Sequence, residues 1–313
     1  MCGELVHTIP QSSGSVAGIV LLNDQIYVCY GGSENIAVYN PTTLRHQKNL
    51  FACFSCRTLT AVADQSWYCD NCGTFNSQCK HCVNCGDCTQ TNYCHNWCAC
   101  LELSLCDIVG CSINNCLYAS DKSNYVICKV FVQDNSLSLW SLDSCPEALS
   151  VTSSHNLLVA LSDHNALNEY STDGVLIRQV SLQSSGISEP VHAVQLSEDQ
   201  YAVTHHGPTS QFSIVNSDGE LVQSYSGNAA DINLLRQFAV DKQGRAFVAD
   251  QRNNRILVVN LNTLSAYQLP LPADCQLDAP CSIYYDSTNS RLYIGEWNRG
   301  RIFCFALTCY WSP

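Results

Sequence analysis

The sequence predicts an all-β fold, a six-bladed β-propeller with a cysteine-rich insertion after the first blade, on three observations. Short runs with a hydrophobic period of two, such as 25–30 and 255–259, are bounded by Gly, Asn, Asp or Ser. These runs recur in units of about 45 residues, the size of a propeller blade. Eleven of the 22 cysteines fall within residues 51–104, so this segment differs from the rest of the chain.

The residue that closes the second strand of each unit shows the repeat. These residues are Tyr30, Asp121, Leu161, His205, Asp250 and Glu296, with successive spacings of 91, 40, 44, 45 and 46. A unit of three or four strands cannot bury both of its faces alone, and radial stacking of such units gives a propeller. Because 91 is close to twice 45, seven blades are the alternative, with Thr60-Ala61-Val62 as part of a shortened copy. Residues 71–100 are poor in strand-forming types, which favours six.

This repeat defines three segments. Residues 1–50 are predicted to form the first blade and a closing strand, 51–104 the cysteine-rich insertion, and 105–313 the remaining blades. Because a closed propeller has no free sheet edge, the apolar stretch 4–9 is expected to pair beside the last unit, near 303–305.

One stretch, 238–256, resembles the NHL repeat. It carries an apolar pair followed by Asp241, a turn glycine at Gly244, Val-Ala-Asp at 248–250 and Asn-Arg-Ile at 254–256. The copies at 234–260 and 279–305 match best. Outside 51–104, the segments 111–121 and 149–159 also resemble uncharacterised NHL-repeat proteins of marine invertebrates. The resemblance implies a propeller fold and no particular activity.

Composition limits the partners. The chain has 15 Lys and Arg against 27 Asp and Glu, a formal charge of −12, which repels the phosphate backbone and excludes nucleic acid as the main partner. No apolar run approaches the roughly 18 residues needed to cross a bilayer, so we expect no membrane insertion. A protein partner is expected, and the oligomeric state stays open.

With Met1 as the true start the sequence predicts a cytoplasmic protein, whereas a disulfide-bonded insertion would predict an extracellular one.

The cysteine-rich insertion contains four C-x-x-C pairs, Cys53/Cys56, Cys69/Cys72, Cys79/Cys82 and Cys85/Cys88. Two such pairs can complete a tetrahedral zinc site, so the first two pairs form one candidate site. Candidate ligands of a second site are Cys79, His81, Cys82, Cys85, Cys88, Cys94, His95 and Cys98. Since small segments with little apolar content are commonly stapled by disulfides, disulfide bonding is the alternative.

The spacing from Cys53 through Cys79 and His81 to Cys98 also resembles the cross-brace of RING zinc domains. It departs from that pattern in its last pair, which has three intervening residues, in two extra cysteines, and in its place after the first blade. The resemblance implies a zinc-dependent ubiquitin ligase as an alternative function.

In a propeller, the starts of the inner strands form a ring at one mouth of the central channel. Aligning the repeats places Gly18, Asp107, Glu147, His192, Arg236 and Cys281 in this ring. Asp107, Glu147 and His192 could bind a cation or act as general acid and base, with Arg236 orienting an anion. We favour the alternative that these residues solvate the mouth of the channel.

The remaining signals favour binding over catalysis. Adjacent residues of a strand point to opposite faces, so His205 and His206 cannot both bind one ion from a regular strand. They are interpreted as a solvated turn, with metal binding as the alternative. No nucleophile elbow, phosphate-binding loop, dinucleotide fingerprint or H-E-x-x-H motif occurs in the sequence. The predicted function is a non-enzymatic protein-interaction scaffold with the insertion as a second recognition or stabilising element. The alternatives are a RING-like ligase, an extracellular disulfide-rich binding or toxin-like protein, and a propeller enzyme with a metal in the channel.

Overall fold

The protein is described from a computed structural model, which covers residues 2–9, 14–33, 35–53, 58–62, 104–134, 136–207, 211–225 and 232–308. Within these residues the strands form six antiparallel sheets, and the predicted six-bladed propeller is confirmed. Two short 3₁₀ helices, Gln183–Ser185 and Gln251–Asn253, lie in connections between strands.

The sheets follow one another along the chain. The first contains β2 (Val16–Leu22), β3 (Gln25–Tyr30), β4 (Asn35–Tyr39), β5 (His46–Cys53) and β6 (Thr58–Val62). The second contains β7 (Leu105–Cys111), β8 (Cys116–Asp121), β9 (Val126–Phe131) and β10 (Leu137–Ser141). The third contains β11 (Pro146–Val151), β12 (Leu157–Leu161), β13 (Ala166–Tyr170) and β14 (Leu176–Ser181). The fourth contains β15 (Pro190–Ser197), β16 (Gln200–His205), β17 (Gln211–Asn216) and β18 (Leu221–Ser224). The fifth contains β19 (Leu235–Val240), β20 (Arg245–Asp250), β21 (Arg255–Asn260) and β22 (Ala266–Gln268). The sixth contains β23 (Pro280–Asp286), β24 (Arg291–Glu296), β25 (Ile302–Thr308) and β1 (Cys2–Ile9).

The segment considered as part of a seventh blade is a fifth strand of the first sheet. β6 pairs antiparallel with β5, with Ala61 opposite Leu50. The described part of the first sheet therefore extends to residue 62, within the range 51–104. Residues 63–103 lie outside the described residues, together with most of the cysteine-rich insertion predicted there.

The core of the propeller lies between neighbouring sheets. Strands two and three of each blade are almost wholly buried, because both of their faces pack against adjacent blades. The third residue before the end of the second strand is large and buried in five of the six blades. These residues are Tyr27, Tyr118, Leu158, Phe247 and Tyr293. Each buried side chain of this size contributes about 1.5–3 kcal/mol of transfer free energy. The spacing of 40 to 46 residues in the sequence therefore reflects a core packing position that recurs from blade to blade.

Buried acids at the ends of second strands hold the following turns. Oδ1 of Asp250 accepts a hydrogen bond from the Asn233 backbone N–H (2.8 Å), and Oδ2 accepts one from Nε of Arg255 (2.7 Å). Glu296 and Arg301 repeat the acid–arginine pair in the last blade (2.6 Å between Oε2 and Nε). These side chains tie each turn to the segment that enters the same blade, which is a structural role.

The two ends of the described chain meet in the sixth sheet. β1 pairs antiparallel with β25, with Leu5 opposite Phe305 and Ile9 opposite Ile302. Ile9 also packs in a cluster shared by the last and first blades, which includes Val16 and Tyr293. The N-terminal strand thereby closes the ring.

We expect Ile9→Ala to lower the free energy of unfolding by about 2–4 kcal/mol, because it leaves a cavity at the closing contact. Ile113→Ala is the matched control, since Ile113 is 68% exposed and Ile9 only 4%; its effect should stay within about 0.5 kcal/mol. Urea denaturation followed by fluorescence measures both. Equal stability of the two variants would show that the closing strand is not part of the cooperative fold.

Candidate functional site

The candidate site is the central channel, which is lined by the first strand of every blade: β2, β7, β11, β15, β19 and β23. Each of these strands has a shift in pairing register near its start, as between Leu105 and Asp107 and between Pro190 and His192. Such a shift adds residues that have no partner in the neighbouring strand, and it turns the following side chains. As a result, the residues near the strand starts lie at two levels.

The inner strands begin at one mouth of the channel, which we call the strand-start mouth. The outer level borders this mouth. Its residues follow the first paired position of each strand: Ala17, Cys106, Glu147, Val191, Arg236 and Cys281. The inner level consists of the next residue in each strand: Gly18, Asp107, Ala148, His192, Gln237 and Ser282. The ring predicted from sequence mixed the two levels. It took Glu147, Arg236 and Cys281 from the outer level and Gly18, Asp107 and His192 from the inner one.

Asp107 accepts hydrogen bonds on both carboxylate oxygens. Oδ1 receives the Ile108 backbone N–H and Nε2 of Gln237, both at 2.7 Å, and Oδ2 receives the Leu149 backbone N–H at 2.7 Å. Burial raises the pKa of this carboxyl to about 7, against the lowering effect of the three hydrogen bonds. Asp107 therefore links its own strand to β11 and β19.

Gln237 is the residue that the sequence analysis missed. Besides binding Asp107, its Nε2 donates to the Ala17 carbonyl (3.1 Å), and its Oε1 accepts from the Ile283 backbone N–H (3.4 Å). A glutamine in an inner strand carries no motif, so only its position at the inner level reveals its role. Through these bonds β2 and β23 join the network.

His192 completes the network with both ring nitrogens. Nδ1 accepts from the Phe238 backbone N–H (3.2 Å), so the proton lies on Nε2, which donates to the Leu149 carbonyl (3.1 Å). Burial lowers the pKa of His192 to about 4, so the imidazole is neutral at pH 7.

We call Asp107, Gln237 and His192 the axial network. It connects all six inner strands, and Gln237 borders a cavity on each side of it. The polar atoms of Asp107 and His192 that could bind a cation are hydrogen-bonded to protein groups. Among the described residues, no group of three or more His, Cys, Asp or Glu side chains is arranged to hold a metal ion.

The strand-start mouth carries two charged side chains that are partly exposed. Glu147 forms an ion pair with Lys122 and accepts a hydrogen bond from the Ser162 hydroxyl (3.0 Å). Nε of Arg236 donates to Oε1 of Gln251 (2.9 Å), and its guanidinium lies 6.0 Å from the ring centre of Trp297.

The thiols at this mouth are poor nucleophiles. Burial raises the pKa values of Cys106 and Cys281 to about 12, so both remain protonated at neutral pH. Sγ of Cys281 donates to the Val16 carbonyl (2.8 Å), and Cys106 contacts the Ser120 hydroxyl (3.1 Å). These cysteines are buried between strands and form hydrogen bonds with them.

The predicted solvated turn at His205 and His206 is wrong. His205 is buried at the end of β16, with Nε2 3.0 Å from the Ser213 hydroxyl, and half-buried His206 binds the Leu235 carbonyl through Nε2 (2.8 Å). Burial lowers the pKa of both, that of His205 to about 4. The prediction failed because both rings have protein partners, His205 on β17 of its own blade and His206 on the first residue of β19 in the next blade.

The predicted zinc or disulfide ligands fall mainly outside the described residues. Cys53 ends β5. The others, which the structure does not describe, are Cys56, Cys69, Cys72, Cys79, His81, Cys82, Cys85, Cys88, Cys94, His95 and Cys98. In the described part of the chain, no helix is long and apolar enough to cross a membrane.

Comparison with known proteins places the chain among the β-propellers. No protein-family model and no curated protein matches the sequence. Similar solved structures include the WD40 β-propeller domain of Doa1, with a TM-score of 0.61, 10% identity, and coverage of 98% of this chain and 97% of that one.

Virginiamycin B lyase from Staphylococcus aureus is also similar, with a TM-score of 0.62, 10% identity, and coverage of 98% and 100%. A streptogramin B lyase matches with a TM-score of 0.59, 11% identity, and coverage of 96% and 98%. At these identities the likeness shows the fold alone.

We expect His192→Asn to reduce the loss of stability on acidification. The pKa of His192 falls from its ordinary 6.5 to about 4 in the folded state, so the folded protein binds fewer protons between these pH values and unfolding becomes easier as the pH falls. The variant keeps an acceptor for the Phe238 N–H but does not titrate. Its free energy of unfolding should therefore drop less between pH 6.5 and 4.5, by about 2 kcal/mol.

Urea titrations at the two pH values measure this difference. The buried His205 keeps part of the slope in both proteins, and Asp107, whose pKa is raised, contributes a slope of the opposite sign. His164→Asn, which changes an exposed histidine, serves as the control and should match the wild type. An unchanged slope in His192→Asn would contradict a neutral buried imidazole.

Proposed function

We propose that this chain is a non-enzymatic protein-interaction scaffold built on an NHL-type propeller, and that its partner binds the strand-start mouth. The observation that carries the proposal is Trp297, a large aromatic residue 45% exposed at this mouth, with the Arg236 guanidinium beside it. Tryptophan and arginine are the residue types most enriched at the energetic centres of protein interfaces.

The chemistry of the channel supports binding over catalysis. The polar atoms of Asp107 and His192 are engaged in the axial network, and the thiols of Cys106 and Cys281 are buried and protonated. Glu147 is paired with Lys122. An enzyme needs groups that are free to bind or exchange protons with a substrate, so a metal-dependent propeller enzyme is the weaker alternative.

The properties of Arg236 indicate the character of the partner. Within the described residues it forms no ion pair with an acid, and its Nε bond to Gln251 holds the guanidinium at the mouth. A guanidinium binds carboxylates in a bidentate manner, while the adjacent indole offers an apolar surface. We therefore propose a protein partner that presents an acidic side chain next to an apolar one.

We expect Trp297→Ala to reduce the retention of the partner at least tenfold in quantitative affinity capture from native extract, since a hot-spot residue contributes about 2 kcal/mol or more. Tyr267→Ala is the matched control, because Tyr267 is 47% exposed on β22, away from the channel. Arg236→Ala should act in the same direction as Trp297→Ala. If both mouth variants retain their partners as well as the control does, another face must bind them.

The cysteine-rich insertion is proposed as a second recognition or stabilising element that binds zinc. Nine cysteines in the described residues are free: Cys29, Cys106, Cys111, Cys116, Cys128, Cys145, Cys275, Cys281 and Cys304. Of the 22 in the chain, 13 remain, which allows at most six disulfides. An extracellular protein with nearly all of its cysteines paired does not fit this number, so the cytoplasmic zinc alternative is the better supported.

Intact-protein mass spectrometry tests this proposal. Under native conditions we expect two bound zinc ions, each adding about 63 Da net, and under denaturing non-reducing conditions a mass close to the fully reduced value, since each disulfide removes about 2 Da. That result would justify an assay of ubiquitin transfer, which tests the alternative that the protein is a RING-like ubiquitin ligase. Five or six disulfides and no zinc would contradict the zinc proposal and favour the extracellular alternative.

A further inference from the structure

Beyond the axial network the channel widens into a cavity of about 200 Å³, which we call the channel well. The lining of the well includes Val151 and Tyr285, which lie at or near the ends of their inner strands. The well therefore lies on the side of the network opposite to the strand-start mouth. The well is therefore separate from the face to which the proposed function assigns a protein partner.

The wall of the well is mainly apolar. One residue from each inner strand, two positions beyond the axial network, forms a complete ring around it: Val20, Val109, Ser150, Val194, Ala239 and Tyr284. Phe238 and Tyr285 add aromatic surface. A concave, largely apolar cavity with few polar groups is the usual form of a small-molecule site.

The well offers no unpaired charge to a ligand. The ionisable acid and base in its lining are Asp107 and His192, which are already hydrogen-bonded within the axial network. A charged ligand would lose its hydration without gaining a partner of opposite charge, which is costly. The walls thus select for an uncharged molecule.

Ser150 provides a specific polar contact. Its hydroxyl is buried and has no hydrogen-bond partner among the described residues, an arrangement that is unfavourable in a folded protein. A serine hydroxyl moves among three staggered positions by rotation about χ1, so it can turn toward a molecule in the well. The hydroxyl of Tyr284, by contrast, donates to the Leu21 carbonyl (3.3 Å).

We propose that the channel well binds one small uncharged molecule, with an apolar body the size of a single aromatic ring and one hydrogen-bonding group that pairs with Ser150. The volume supports this size, since an apolar cavity of about 150 Å³ accommodates benzene. The axial network forms the floor of the site, and the bound molecule satisfies the unpaired hydroxyl.

Phenol and toluene are suitable probes, because they share the ring and differ in the hydrogen-bonding group. Titration followed by ligand-observed NMR should show saturable binding of both to the full chain, with phenol the tighter. Benzoate, which has the same ring and a negative charge, should bind at least tenfold more weakly than phenol.

Two variants assign the binding to the well. Ser150→Ala should weaken the binding of phenol by about threefold to tenfold, which corresponds to the loss of one hydrogen bond. The affinity for toluene should not change. Ser282→Ala is the matched control, because Ser282 also lies in an inner strand with a buried, unpartnered hydroxyl but does not line the well. Ala239→Phe, which fills the well, should abolish the binding of both probes.

Circular dichroism of each variant establishes that the propeller is intact, and Ser150→Ala, which changes only one atom, serves as the test if Ala239→Phe does not fold. The proposal is overturned if neither probe binds saturably, if benzoate binds as tightly as phenol, or if Ser150→Ala and Ser282→Ala have the same effect on phenol. It is likewise overturned if a folded Ala239→Phe still binds both probes. Because none of these measurements involves Trp297 or Arg236, their failure would leave the proposed protein-binding face untouched.

Discussion

The axial network is the interaction on which the rest of the structure depends. In the described part of the chain, neighbouring blades pack against each other, and two hydrogen bonds of Gln237, to Asp107 and to the Ala17 carbonyl, join blades that are not neighbours. His192 bonds to the inner strands of the blades on either side of its own. Their bonds link residues far apart in the sequence, such as Gln237 and Ala17, which are separated by 220 positions. A buried polar network in which each member is hydrogen-bonded rigidifies a fold, whereas a partly satisfied one destabilises it. The blades are thereby fixed in one arrangement around the axis.

The same network determines where the protein can act. Because Asp107 and His192 hold strands together, the channel is divided into a mouth with exposed Trp297 and half-buried Arg236 and an apolar well on the other side. Burial raises the pKa of Asp107 and lowers that of His192, so His192 is neutral at pH 7 in the folded protein. Groups that are hydrogen-bonded to the inner strands stabilise the architecture, and recognition is left to the surfaces on either side.

The sequence predicted the blades and their number because both depend on patterns that recur. Alternating hydrophobic residues report on packing that recurs from blade to blade, and the acids Asp121, Asp250 and Glu296 report on a turn that three blades share. The arrangement of the channel does not repeat in this way. A register shift at the start of each inner strand moves side chains by one position without leaving a sequence signal, so Glu147 was assigned to the level of Asp107. Gln237 was missed for the same reason, since nothing in its neighbours along the chain distinguishes it from any other polar residue.

Three of the six residues of the inner level are small, and packing at the axis explains why. At Gly18 a Cβ atom would lie 2.5 Å from the Ile108 backbone nitrogen and 2.6 Å from Oδ1 of Asp107, distances that no packed side chain adopts. Ala148 and Ser282 occupy two further positions of this level, which leaves room for three long side chains that meet on the axis. Interiors are packed to crystal-like density, so three long and three short side chains fill a space that six long ones would overfill. The hydrogen bonds of Asp107, His192 and Gln237 are therefore possible because their small neighbours leave space at the axis.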